Sequence, residues 1–165
     1  MAGRPMGVPK TGVFGLIDLV GLDLMPHIAK SLLATLPKDD GYREIYRVEP
    51  AIETLIAEGY TGRKGKGGFY RLSKAADGAR VKESIDLKSG AWAKSEKPKL
   101  DGVDAARQGG LKALVGFDDK TGHYAARVLG QTLSYAAGLV PQIADTVVAV
   151  DEAMRLGYNL SLIHI

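Results

Sequence analysis

Five glycines between positions 59 and 68 are interleaved with Arg63, Lys64 and Lys66, and this stretch is the first candidate for chemistry. Backbone N–H groups turned inward by glycine, with cations beside them, can cradle an anion. The stretch is not a P-loop, because no glycine stands five residues before Gly65 and Lys66 is followed by Gly67 rather than Ser or Thr. It is not a dinucleotide fingerprint either, since it follows an expected helix and opens none. Histidines 27, 123 and 164 could move protons, but none has a partner at metal-ligand spacing, so surface or capping roles are expected. Ser31, Ser73, Ser84 and Ser134 lie in no G-x-S-x-G or S-x-x-K motif. The pairs Asp39-Asp40, Asp118-Asp119 and Asp151-Glu152 fit caps, turns and solvated faces rather than acid–base catalysis.

Charge sharpens the anion reading. The chain of 165 residues holds 22 Lys and Arg against 19 Asp and Glu, a net +3, yet residues 60–99 alone hold eleven basic and four acidic side chains, a net +7. Such a segment attracts phosphate, in a nucleotide, coenzyme A or nucleic acid, or else is a solvated loop region. Lys66-Gly-Gly-Phe69-Tyr70 is similar to part of the ribonucleoprotein octamer, but Gly68 stands where an aromatic is needed and no four-stranded sheet is visible. No nucleic-acid partner is therefore expected. With no Cys there is no disulfide framework and no thiolate chemistry. No apolar run approaches the ~20 residues of a membrane span, and the first residues lack the apolar core of a signal peptide. A cytoplasmic protein without a membrane span is the expectation.

The elements that must position these residues read as mainly helical. Residues 1–12, rich in Gly and Pro, read as an extended loop. A first helix fits Val13–Val20, with Phe14, Ile17 and Val20 on one side and Gly21 as its stop. Asp23 is the expected N-cap of a second helix, in which Met25, Ile28, Ala29, Leu32 and Leu36 keep helical spacing up to Pro37. Asp39-Asp40-Gly41 reads as a turn. A third helix starts near Pro50, buries Ile52, Leu55 and Ile56, and stops at Gly59. Phe69–Leu72 reads as a short strand. Val81–Asp86 and Ala91–Ala93 read as an exposed β-hairpin around Leu87-Lys-Ser-Gly90, followed by a linker.

Three further helices are expected: Asp101–Val115, Asp119–Ala137 and Leu139–Leu156. Gly109-Gly110 inside the first of them suits close helix–helix approach. In the last, Val140, Ile143, Val147, Val150 and Met154 form a stripe suited to a bundle or dimer seam. The expected architecture is two helical lobes with a small exposed β-hairpin between them.

Three segments, in this order, resemble the C-terminal helical domain of 3-hydroxyacyl-CoA dehydrogenases. They are Gly3–Asp23 (GRPMGVPKTGVFGLIDLVGLD), Gly62–Tyr70 (GRKGKGGFY) and Val150–Asn159 (VDEAMRLGYN), and together they span nearly the whole chain. The last is similar to the start of a repeated copy of the domain, as in the long bacterial fatty-acid β-oxidation form. The resemblance implies a chain truncated at both ends. Residues 1–75 would be a partial first copy, 76–100 a basic linker with the hairpin, and 101–159 a helical segment leading into the second copy. Residues 160–165, Leu-Ser-Leu-Ile-His-Ile, do not fit the family and match the translation of a sequencing-library end, which would exclude His164 from function.

The resemblance further implies an NAD-dependent parent enzyme oxidising 3-hydroxyacyl-CoA to 3-ketoacyl-CoA. Its catalytic His and Rossmann domain would lie outside this chain. The piece itself is expected to be inactive and to bind no NAD, and to supply substrate-side and dimer or inter-domain surface. The parent's partners would be the acyl-CoA, a homodimer mate and a fused enoyl-CoA hydratase domain. Arg63, Lys64 and Lys66 become candidates for coenzyme A phosphate contact, while Asp18, Gly65, Gly67, Gly68, Phe69 and Tyr70 are expected to be structural. A standalone helical dimerisation module without catalysis is the alternative.

Overall fold

The computed structural model describes residues 4–6 and 11–158. Parts of Gly3–Asp23, as well as Asn159 and the tail 160–165 with His164, lie outside the described residues. The chain divides into two compact units. One comprises Val13–Lys97, and the other Met1–Gly12 with Pro98–Ile165.

The Val13–Lys97 unit begins with α1 (Gly12–Val20), which reaches back one residue into the other unit, and α2 (Leu24–Thr35). Asp23 stands at the N-terminus of α2 but does not cap it; its backbone is already helical, with φ −63° and ψ −21°. The tight turn at Gly21 explains the difference. There the N–H groups of Leu24 and Met25 donate to the carbonyls of Gly21 and Leu22, so the carboxylate is left to pair with Lys64. Residues expected as a simple turn lead into a short helix, α3 (Gly41–Ile45), capped by the Asp40 carboxylate, which accepts from the Tyr42 N–H at 2.8 Å. Five residues are too few to show a period, which is why sequence reading passed over α3. From it Arg43 folds back and donates to the carbonyls of Leu33, Leu36 and Pro37, each at 2.6 Å, closing the C-terminus of α2. The next helix, α4 (Pro50–Ala57), starts on its proline as expected.

A three-stranded antiparallel sheet follows, ordered β1 (Tyr70–Lys74), β2 (Arg80–Ile85) and β3 (Trp92–Lys94). The hairpin read from the sequence is β2–β3. Its turn is held by the Asp86 carboxylate, which accepts from the N–H groups of Lys88 and Ser89. The strand expected near Phe69–Leu72 joins it as β1. The hairpin is also less detached than expected, because Ile85 and Trp92 pack on the unit's core of Leu22, Leu55 and Phe69.

The other unit has a separate core of Met6, Leu114, Ala125 and Leu129. Met6 lies at the end of a 3-10 turn, Arg4–Met6, and is buried, so the N-terminal segment is not simply an extended loop. The helix α5 (Asp101–Val115) is kinked at Gly110, where φ is 66° and ψ −159°. Beyond its chain neighbours and its own helix backbone, no atom of the described residues lies within 4 Å of the position a Gly110 Cβ would take. The glycine therefore serves the bend, not the close helix contact expected of the pair. Close approach occurs at Gly102 instead, where an added Cβ would overlap the Thr121 hydroxyl of α6 (Lys120–Gly138). The final helix, α7 (Val147–Tyr158), starts eight residues later than expected. Pro141 lacks the N–H that a continuous helix would need, and Thr146 takes the starting position, its hydroxyl accepting from Ala149 at 3.3 Å. The expected stripe shortens accordingly. Val150 is buried and Met154 packs on the core, whereas Ile143 and Val147 are exposed. No single helix among the described residues is long and apolar enough to cross a membrane.

Candidate functional site

The glycine-rich loop is built around Asp18, which the sequence places on an ordinary helix and the structure buries. One carboxylate oxygen accepts from the Phe69 N–H at 2.7 Å and the other from the Tyr70 N–H at 3.0 Å. The Asp18 carbonyl accepts from the Arg63 N–H at 2.8 Å. A buried carboxylate is tolerated only when its oxygens are satisfied, and here backbone donors 51 and 52 residues away satisfy it.

Two glycines make this approach sterically open. A Cβ on Gly68 would overlap the Asp18 carboxylate, and one on Gly62, whose φ is 106°, would overlap the Asp18 carbonyl. Gly62 and Gly67 bridge as an antiparallel pair, so the four residues between the two bonded ends bulge outward as the loop tip. Gly65 lies there against Thr61, and Gly67 against the backbone of Tyr70 and Arg71. Phe69 turns inward to the core and meets the Phe14 ring at 4.6 Å between centroids.

The cations at the tip have unequal surroundings. The Lys64 ammonium pairs with Asp23 at 2.8 Å, and its hydrogen bond holds that carboxyl below the usual carboxylate range. Both partners are substantially exposed, so the pair adds little to stability. Lys66 donates to the Glu58 carbonyl at 3.1 Å, just after the C-terminal end of α4. Arg63 is exposed on the loop surface. The loop thus presents one outward guanidinium and two lysines already engaged within the unit.

Sequence reasoning missed a second cluster beside the loop. The Arg71 guanidinium lies 4.1 Å from the centre of the Trp92 ring, donates to the Glu83 carboxylate at 2.7 Å, and donates to the Tyr60 hydroxyl at 2.9 Å. Burial opposes the charge on Arg71, but the bonds to Glu83 and Tyr60 outweigh it and raise its pKa above the ordinary value. The signal was available in principle, since Arg71 and Glu83 become direct cross-strand neighbours once the hairpin register is known. This cluster ties Tyr60, near the start of the loop, to all three strands.

Neither described histidine joins the loop. His27 is exposed on α2, and His123 sits 3.1 Å from the solvated Asp118. Asp119, next in the chain, caps α6 by accepting from the N–H groups of Thr121 and Gly122, each at 2.8 Å. No group of three or more potential metal ligands occurs among the described residues. The loop also does not fit a dinucleotide, since it runs into β1 rather than opening a helix, and every strand pair in the sheet is antiparallel.

Residues 1–72 match the family described as 3-hydroxyacyl-CoA dehydrogenase, C-terminal domain. The chain is 38% identical over 154 residues to a Rickettsia felis protein provisionally named fatty acid oxidation complex trifunctional enzyme, covering 93% of this chain and 20% of that one. A Rickettsia prowazekii protein of the same provisional name is 35% identical over 156 residues, with 94% and 21% covered. A Bacillus subtilis protein provisionally named 3-hydroxyacyl-CoA dehydrogenase is 30% identical over 166 residues, with 98% and 20% covered. The chain therefore spans about a fifth of the length of these relatives. No solved structure matches it significantly.

Proposed function

We propose, from the match of residues 1–72 to the C-terminal domain of the 3-hydroxyacyl-CoA dehydrogenase family, that this chain belongs to that family and is the substrate-side helical part of such an enzyme. The reaction is the NAD-dependent oxidation of a 3-hydroxyacyl-CoA to the 3-ketoacyl-CoA in fatty-acid β-oxidation, in the cytoplasm. Bound elsewhere in the parent, NAD would supply the hydride-accepting chemistry. Among the described residues the glycine loop does not have the form of a dinucleotide site, and no chemical step is assigned to this chain's residues. Their part is to hold a rigid surface against the substrate.

The observation that carries this reading is the Asp18-centred loop, which falls within the matched residues and displays cations on a fixed backbone. On it, Arg63 is the leading contact for the coenzyme A phosphates, with Lys64 and Lys66 beside it. Lys64 would exchange Asp23 for phosphate, and Lys66 would exchange the Glu58 carbonyl. Gly65, Gly67, Gly68, Phe69, Tyr70 and Asp18 keep the loop in shape. In the parent enzyme, Arg63→Glu should raise KM for the acyl-CoA several-fold with kcat little changed, as expected when uniform binding is lost. An unchanged KM would return the loop to a purely structural role. The chain by itself should reduce no NAD with a 3-hydroxyacyl-CoA, and measurable reduction would overturn the assignment of catalysis to other parts of the parent.

A second reading, a helical module that docks on another polypeptide or on its own copy, has one observation in its favour. Phe14, Leu16, Leu19, Val20, Leu24 and Ile28 of α1 and α2 are all more than two-fifths exposed. Light scattering separates the readings. A clean folded dimer without NAD binding supports the module, and concentration-dependent aggregation supports a face normally covered by the parent.

A further inference from the structure

We propose that the outer face of the β1–β2 ribbon is a peripheral docking surface for an anionic lipid bilayer. The register pairs Leu72 with Lys82 and Lys74 with Arg80, and side chains directly opposite share a face. One face of the ribbon therefore carries Tyr70, Leu72 and Lys74 of β1 with Arg80, Lys82 and Ser84 of β2. The other carries Arg71, Glu83 and Val81. On the first face Lys74 and Arg80 are like charges directly across the ladder, an arrangement that destabilises a hairpin. Among the described residues no carboxylate pairs with Lys74, Arg80 or Lys82. The nearby acid, Asp77 in the turn, is turned to the backbone and accepts from the Ala79 N–H at 2.9 Å. A local conflict that the fold leaves unresolved points to a partner that resolves it.

The chemistry of the face favours a bilayer among anionic partners. On it Leu72 is 68% exposed, a branched apolar side chain with Lys82 directly opposite and Lys74 and Arg80 at the next pair along. Lipid headgroups would neutralise these cations while the leucine enters the acyl boundary. A single-stranded nucleic acid would want a bare aromatic for stacking, but the Tyr70 ring is already covered by the Lys82 ammonium at 4.0 Å. The face lies wholly within the Val13–Lys97 unit and is independent of the acyl-CoA reading of the loop.

The test is co-sedimentation of the full chain with phosphatidylcholine vesicles, with and without about a third phosphatidylserine. Binding should require the anionic lipid and weaken steeply with salt. Lys74→Glu removes two units of favourable charge and creates an opposite-charge pair with Arg80. It should lower the partition coefficient about 25-fold, at roughly fivefold per charge, while the melting temperature stays level or rises. Lys38→Glu, an equal change of net charge on an exposed residue outside the sheet, should leave most of the binding intact. Leu72→Ser should weaken binding without altering its salt dependence. The proposal is overturned if Lys74→Glu and Lys38→Glu reduce binding equally, if zwitterionic vesicles bind as well, or if an acidic peptide or RNA is retained where vesicles are not.

Discussion

Asp18 shows how much one side chain can organise. A carboxylate has two acceptor oxygens and no donor, and here the two meet two backbone N–H groups. Asparagine keeps one acceptor and sets its NH2 against the other N–H. Asp18→Asn should therefore cost about 1–3 kcal/mol, the range for a stranded buried donor, read from urea unfolding. Gly68→Ala should be destabilising because its Cβ would overlap that carboxylate. In Asp18→Ala the overlap with the carboxylate disappears and only the tight approach to the Leu22 side chain remains, so adding Gly68→Ala should then cost less than it does alone. Additive effects in that cycle would mean the two residues do not share one contact. Both residues were legible as a structural signature, but the contact between them was not. It joins a helix to a loop about fifty residues later, and no local pattern reports such a distance.

At the scale of elements, helix starts decide most of what the sequence read correctly and incorrectly. Asp40 and Asp119 both cap, through short local bonds that sequence spacing can suggest. Asp23 occupies the same kind of position and does not, because a glycine turn has already satisfied the first N–H groups. Hydrogen bonds from the Thr121 hydroxyl and the Gly122 N–H hold the Asp119 carboxyl below its ordinary range. A carboxyl whose native pKa is depressed contributes stability above its unfolded value, and that contribution is lost as pH falls through the native one. The wild type should thus lose part of its stability below about pH 4, and Asp119→Ala should lose less on acidification because it starts without the contribution. Equal acid slopes of Tm in the two proteins would remove Asp119 from the account. Residues 139–146 show the opposite failure. An apolar rhythm ran through Pro141, but the backbone could not follow it as helix.

At the scale of the molecule, two cores of different residues serve two units. Leu22, Leu55 and Phe69 form one; Met6, Leu114, Ala125 and Leu129 form the other. Leu55→Ala and Leu114→Ala should each cost about 2–5 kcal/mol. By hydrogen exchange, the first should expose amides of 13–97 and the second amides of 98–158. Loss of protection throughout the chain from either substitution would mean the two units unfold as one. The charge imbalance also belongs to this scale. Part of the basic excess of residues 60–99 stands at the loop tip, as Arg63, Lys64 and Lys66, and part on one face of the sheet, as Lys74, Arg80 and Lys82.

By itself the sequence determined that the chain is mainly helical, where α1, α2, α4 and α6 lie, that β2 and β3 pair, and which family its motifs resemble. Each of these depends on short-range periodicity, on glycine and proline punctuation, or on contiguous motifs. Only the tertiary structure decided that Asp18 is buried beneath the glycine loop, that Lys64 and Lys66 already have partners, that Gly110 bends α5, and that Met6 belongs to a core. The physical reason is the same in each case. A side chain's role is set by the groups that burial brings to it, and those groups lie far along the chain, where no local spacing can announce them.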